Sequence, residues 1–188
     1  MSSTSRSLRR HCLAVALFIS LQGCSSAPIE YHTLVPLQPA QRQGGATMDI
    51  RVDRVMVPPQ VDRTQIVVRQ GSSGLAILET QWWGANLTDE FHNALVNRLP
   101  RPGTAGAGGT ALHLYVDVRR FESVPGQYAQ TDARWRLRSR DGEVRLGCYS
   151  SLSTPAGNTV DELVTAHQAN IAQLASQIET AARSGRCP

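Results

Sequence analysis

The stretch YAQTDARWRLRSR, Tyr128–Arg140, decides how this chain folds. Its apolar and small residues alternate with polar ones, which predicts a β-strand with one buried and one wet face. Asp141-Gly142 follows and predicts a two-residue type I′ hairpin, with Val144–Leu152 as the returning strand. Strands with one polar face belong to antiparallel or mixed sheets that are covered on one side.

The same alternation recurs on the N-terminal side. Leu112, Leu114, Val116 and Val118 are predicted to point inward from the preceding strand. Earlier strands are predicted at 30–37, 48–57, 64–70 and 75–80. In the first, Tyr31, Thr33, Val35 and Leu37 share one face. In the second strand, the alternation of apolar and polar residues shifts near Asp53, which predicts a bulge.

Two helices complete the pattern. An apolar stripe from Leu87 to Leu99 predicts the first. Thr159 and Glu162 form a capping box that starts the second near Val160, and Gly185 ends it. The expected fold is therefore α+β, a two-layer sandwich. It should have an antiparallel or mixed sheet of about six or seven strands, with two main helices on one face.

The N-terminus carries targeting information. Three arginines precede an apolar run, Cys12–Leu21, that is too short to span a bilayer, as in a secretory signal peptide. Leu21-Gln22-Gly23-Cys24 resembles a bacterial lipobox, in which Cys24 is lipidated. An ordinary secreted protein with a cysteine at the cut is the alternative. We expect a signal peptide at 1–23, a tether at 24–29 and a single domain at 30–188.

Ser25 follows the predicted lipidation site. It is not the aspartate that signals inner-membrane retention in bacteria resembling the enteric ones, so delivery to the outer membrane is favoured. The formal charge of +4 includes three signal-peptide arginines, so the mature chain carries 16 arginines against 15 acids, or +1. That balance does not indicate a nucleic-acid binder. The sequence holds no second apolar run of membrane-spanning length, so lipid is the expected attachment.

The remaining cysteines are Cys148 and Cys187. In an oxidising compartment they predict a disulfide worth about 3–4 kcal/mol; two unpaired thiols are the alternative. Neither has a histidine or cysteine at zinc-ligand spacing, so no metal site is expected. No catalytic motif is found, and His167 falls on an apolar helix face. The chain is predicted not to be an enzyme and to need no cofactor.

Two features predict contact surfaces. Trp82 and Trp83 form a doublet between a strand and a helix, and an exposed ring there would contact lipid or a partner. The alternative is that one packs under the helix and the other is half exposed. Arg134, Arg136 and Arg138 share one strand face, which is either simply solvated or faces lipid phosphates or an acidic partner.

The order of motifs resembles one family. A strand ending in Val57-Pro58 leads to Val-Asp-Arg63, then to Gln-Ile-Val67 and Arg69, and then to a Leu-x-x-x-Glu strand that ends in tryptophan before a helix. With the lipobox and the closing helix, this is similar to the PqiC family of ABC-type transport auxiliary lipoproteins. The Trp82-Trp83 doublet departs from the family pattern, in which a single tryptophan is usual at this place. Either Trp82 or Trp83 could therefore correspond to that tryptophan.

The resemblance implies an outer-membrane lipoprotein of a lipid transport system of the MCE/Pqi type. Such a subunit would dock the periplasmic tunnel and support membrane integrity. Its partners would be an MCE-domain periplasmic protein and its inner-membrane permease, and it could form a homo-oligomeric ring. The alternative is a periplasmic lipid-binding carrier with an apolar cavity.

Overall fold

The computed structural model describes residues 27–37, 48–100 and 110–188. In this part of the chain the strands are β1 (Glu30–His32), β2 (Met48–Met56), β3 (Gln65–Gln70), β4 (Gly74–Trp83), β5 (Thr110–Val124), β6 (Tyr128–Ser139) and β7 (Val144–Pro155). The helices are α1 (Leu87–Arg98) and α2 (Val160–Ser184). These elements confirm the predicted α+β class.

The seven strands divide between two open sheets, where the alternation alone suggested one. One sheet has the order β1-β4-β3 and the other β2-β5-β6-β7. Each is mixed, because β1 runs parallel to β4 and β2 parallel to β5, while the other neighbours are antiparallel. Alternation specifies which side chains face the core, but strand neighbours depend on contacts between distant residues.

Both helices contact the four-stranded sheet on its buried face, α1 against β2 and α2 against β6 and β7. The predicted inward residues of β5 are buried, with Leu114 fully so. Trp135 and Leu137 of β6 are buried as well, at 1% and 0% exposure. The core is filled from the helix side by Phe91, Leu174 and Ile178, each 0% exposed.

The first strand is shorter than predicted, and its predicted face is wrong. β1 ends at His32, and Leu34, not Val35, is fully buried. The cause is Glu90 in α1, whose carboxylate accepts hydrogen bonds from the Leu34 N–H at 2.8 Å and the Thr33 hydroxyl at 2.7 Å. These bonds draw the chain out of the sheet and onto the start of the helix.

The hairpin between β6 and β7 is also not the predicted type I′ turn, which needs positive φ at both central residues. Gly142 has φ 88°, and no described non-glycine residue has positive φ. The Gly142 N–H donates to the Ser139 carbonyl at 2.9 Å, so the turn includes one more residue. The Asp141 carboxylate accepts from the Ser139 hydroxyl and the Glu143 N–H, which favours this form.

The long helix begins and ends as predicted. Thr159 and Glu162 form the reciprocal capping box, and Gly185 closes the helix at φ 70° in the left-handed region. Neither described helix combines the length and apolar character needed to cross a bilayer. The long helix α2 packs on β6 and β7, with Leu163, Ile171 and Leu174 on its buried side.

Candidate functional site

The arginine row lies on the outer face of the four-stranded sheet, opposite the helices. Arg134 and Arg136 are exposed and Arg138 is half-buried, while Trp135 and Leu137 between them face the core. This follows directly from the two-residue period of a strand. The alternation of β6 therefore separates a solvent-facing side from a packing side.

Neighbouring strands add aromatic rings to this face. Tyr115 of β5 stands opposite Arg136, and Tyr149 of β7 stands opposite Arg134. Tyr149 is 53% exposed. Together the side chains border an open groove of about 780 Å³. We call it the arginine groove and define it by Arg54, Tyr115, Arg134, Arg136, Arg138 and Tyr149.

The predicted bulge in β2 shapes one end of this groove. The register against β5 shifts between Val52 and Arg54, which confirms the expected irregularity near Asp53. Because the phase changes there, Arg54 comes to lie opposite Tyr115 at the groove. Asp53 accepts hydrogen bonds from the Tyr115 hydroxyl at 3.0 Å and from His113 Nδ1 at 2.8 Å.

The groove is electropositive. Arg54, Arg134 and Arg136 form no ion pair with any described residue, and the Arg138 guanidinium lies 5.1 Å from the centroid of the Tyr115 ring. The Arg138 Nε is buried without a hydrogen-bond partner in the described chain. The hydrogen bond to Asp53 is the main reason that the Tyr115 pKa is raised, so this hydroxyl remains a neutral donor.

The outer face is not uniformly open. Gln130 and Asp132, predicted as outward polar residues, lie on the expected face but are buried. Asp132 accepts from the Gln130 amide at 2.6 Å and the Ser151 hydroxyl at 2.7 Å, and it pairs with Arg120 at 3.3 Å. These hydrogen-bonded side chains cover the first half of β6. The accessible part of the outer face is therefore the second half of β6, which carries the arginine row.

The tryptophan doublet belongs to the other sheet and divides between two environments. Trp83 is 3% exposed and meets Phe121 edge to face, with ring centroids 6.3 Å apart. Trp82 is half-buried, donates its indole N–H to the Glu79 carbonyl at 2.9 Å, and meets the exposed ring of Tyr31. Of the pair, Trp82 is thus the ring that remains partly accessible, while Trp83 belongs to the core.

The structure joins Cys148 and Cys187 in a disulfide, with Cα atoms 5.6 Å apart. The bond links β7 to the tail that follows α2. Cys148 is buried on the inner face, so the link is on the opposite side from Tyr149. Cys24, the predicted lipidation site, and the signal peptide lie outside the described residues.

A buried serine–histidine pair was not foreseen from the sequence. His167 Nε2 lies 2.9 Å from the Ser123 hydroxyl, and the imidazole stacks on Phe121 at 3.8 Å. His167 is 0% exposed, and burial lowers its pKa to about 3. Both side chains of the pair are buried in the core, at 3% exposure for Ser123 and 0% for His167. Residues separated by 44 positions gave no local signal of this contact.

No described group of three or more histidine, cysteine, aspartate or glutamate side chains is arranged to hold a metal ion. The arginine groove can bind anions through its guanidinium groups, and its tyrosines can add apolar and hydrogen-bonding contacts. The fold is thus α+β, and one face of its larger sheet presents exposed arginines beside tyrosine rings.

The chain belongs to the PqiC-type family described as the ABC-type transport auxiliary lipoprotein component, whose family model matches residues 32–179. The match covers both sheets except for the first two residues of β1, and most of α2. It confirms the family suggested by the motif order. No curated protein matches the chain at a significant level.

Two solved structures share the fold. A crystal structure of an uncharacterized protein superposes with a TM-score of 0.64 at 19% identity, covering 83% of this chain and 99% of that one. The crystal structure of a Xanthomonas campestris protein of the DUF330 family gives a TM-score of 0.62 at 19% identity, covering 81% and 93%. At this identity the likeness concerns the fold alone.

Proposed function

We propose that this protein is an outer-membrane lipoprotein subunit of an MCE/Pqi-type intermembrane lipid transport system, where it docks the periplasmic tunnel and supports membrane integrity. The family match over residues 32–179 is the observation that carries the proposal. The arginines of the outer face that form no ion pair with a described residue support a docking role, because they offer anion contacts that the described fold does not use.

The membrane attachment in this proposal is acylation of Cys24 after removal of residues 1–23. The tether of residues 24–29 would span at most about 20 Å when fully extended. The domain at 30–188 would therefore stay close to the bilayer that holds its anchor. Two or more acyl chains are needed for firm anchoring, which lipidation of this cysteine would supply.

The alternative, a periplasmic carrier with an apolar cavity, is less well supported by the packing. The space between the four-stranded sheet and the helices is occupied by side chains such as Phe91, Leu114 and Ile171, all 0% exposed. A carrier would need that space for acyl chains. If native mass spectra of the Cys24→Ser protein, which has no acyl anchor, showed bound phospholipid, the carrier function would be favoured instead.

The proposal is tested by chemical crosslinking in intact envelopes followed by purification of the acylated full-length chain. An MCE-domain protein and its inner-membrane permease should co-purify, and a deletion strain should become sensitive to detergents. The matched control is the same chain exported without its lipidation cysteine, which should capture less. Normal detergent tolerance together with no such partner would overturn the proposal. A homo-oligomeric ring would appear as a ladder of self-crosslinks.

A further inference from the structure

The outermost strand of the four-stranded sheet, β7, has a free edge. It is twelve residues long, and the described chain places no strand beyond it. The opposite edge, β2, is covered by α1: His92 lies 3.2 Å from the Val52 carbonyl, and the Ile50 N–H donates to Pro100. β1 is only three residues long, and β3 packs against β5.

Natural sheet edges are normally protected by charge, proline, bulges or short length. β7 has such features only near its two ends, at Arg145 and Pro155, while residues 147–154 contain no charged side chain and no proline. The C-terminal tail, which the disulfide links to β7, contacts this edge where Cys187 Sγ lies 3.5 Å from the Gly147 carbonyl. Among the described residues, no other strand pairs with the backbone along the rest of this edge.

The side chains beside this edge define what could pair with it. Gly147 stands opposite Arg136, and a Cβ at that position would come within 3.8 Å of the Arg136 side chain. The absence of a side chain thus leaves Arg136 accessible from the edge. A strand added about 4.8 Å beyond β7 would direct alternate side chains over the same face, within reach of these long arginines.

The charge on this face favours an acidic occupant. Arg134 and Arg136 lack ion-pair partners among the described residues, and the nearby Asp117 is already bonded to Arg119. Arginine and tyrosine are also the residue types that most often dominate protein–protein contacts. A lipid tail is less well matched, since four guanidinium groups and two tyrosine rings line the groove and Met56 is the one exposed aliphatic side chain among its lining residues.

We propose that an extended acidic segment of a partner protein adds as a strand to the free edge of β7, with its carboxylates over the arginine groove. This is recognition by strand addition, in which backbone bonds give affinity and alternate side chains give specificity. The inference rests on the proposed docking role, whose contact surface and partner chemistry it specifies.

The test places a photo-crosslinking phenylalanine analogue at Tyr149 in the acylated full-length chain and irradiates intact envelopes. Tyr149 is exposed, so the replacement should leave the fold intact. The adduct should contain a peptide rich in aspartate or glutamate from another protein. The same analogue at Leu75, an exposed position of β4 in the other sheet, is the positional control and should not yield that adduct.

The double charge reversal Arg134→Glu with Arg136→Glu should reduce the yield of the Tyr149 adduct at least tenfold. The control is Arg63→Glu, a charge reversal in the loop between β2 and β3, which should leave that yield unchanged. Circular dichroism checks that each variant is folded. A phospholipid adduct, a second copy of this chain, a peptide without acids, or an adduct insensitive to the reversals would overturn strand addition while leaving the docking role intact. If chemical crosslinking with the unmodified chain also captures no partner, both proposals fail.

Discussion

The two faces of the four-stranded sheet are built from the same strands but have opposite properties. On the inner face, Trp135 is 1% exposed and donates its indole N–H to the Ser150 hydroxyl at 3.0 Å. On the outer face, the neighbouring Arg136 is exposed and forms no ion pair with a described residue. Stability should therefore depend on one face and binding on the other.

The difference between the two faces separates side chains that pack in the core from side chains that remain exposed. Surface ion pairs and solvated charges contribute little to stability, whereas buried aromatic and aliphatic groups contribute several kcal/mol each. If the outer face acts in binding, substitutions there should change partner capture and leave the unfolding free energy almost unchanged. Five measurements sharpen or break this division.

The largest effect is expected from Trp135→Ala on the inner face. Removing a fully buried indole should cost about 3–5 kcal/mol in the free energy of unfolding, because a cavity replaces packed surface. Urea unfolding followed by circular dichroism measures it. A cost below about 1 kcal/mol would show that the inner face is not the main source of stability.

The disulfide on the inner side of β7 should have the next largest effect. Cys187→Ser should lower the unfolding free energy by about 3–4 kcal/mol, because the unfolded chain then loses a loop constraint across a sequence separation of 39. Denaturant titrations with and without reductant check it. The reductant should destabilise the parent protein and leave the variant unchanged.

His167 should make stability depend on pH. Burial lowers its folded-state pKa to about 3, below the unfolded value near 6.5. Above the unfolded-state pKa, the histidine is neutral in both the folded and the unfolded state. As the pH falls below the unfolded-state pKa, only the unfolded state takes up the proton, so the free energy of unfolding decreases. This histidine should remove about 2 kcal/mol between pH 7.5 and pH 5.

His167→Gln isolates that effect, since glutamine does not titrate in this range. The variant can be less stable at every pH because the stacking on Phe121 is lost, but its stability should decline less steeply towards acid. Urea midpoints measured at intervals between pH 5 and pH 7.5 decide it. Parallel curves for the two proteins would contradict the assignment.

A smaller effect is expected at the start of the helix that covers the inner face. Thr159→Ala removes the hydroxyl that accepts from the Glu162 N–H and should cost about 1 kcal/mol. Thermal unfolding gives the difference. Thr165→Ala, at an exposed position of the same helix, serves as the control and should have little effect.

The smallest effect completes the comparison. Arg136→Ala should change the unfolding free energy by no more than about 0.5 kcal/mol, because the side chain is exposed and unpaired in the described structure. The same urea titration used for Trp135→Ala measures it. A loss above about 1.5 kcal/mol would mean that the outer face supports the fold and would contradict the expected division between the two faces.

Local signals predicted a large part of this molecule. The inward residues of β5, the capping box of α2 and the bulge near Asp53 are confirmed, since each depends on residues close together in sequence. The type I′ turn was wrong because the Asp141 carboxylate holds a longer turn. The arginine row was visible in the sequence, whereas Arg54, Tyr115 and Tyr149 joined it only through strand pairing.

The chain's local patterns were enough to predict the element types, the two unlike faces of β6 and the family, because side-chain alternation and capping need no distant partner. The long-range packing decided the division into two sheets, the burial of Leu34 by Glu90 and the contact of Ser123 with His167. It also decided that Trp83 is in the core and Trp82 is not. Each of these depends on which distant segments meet, and local periodicity contains no information about that choice.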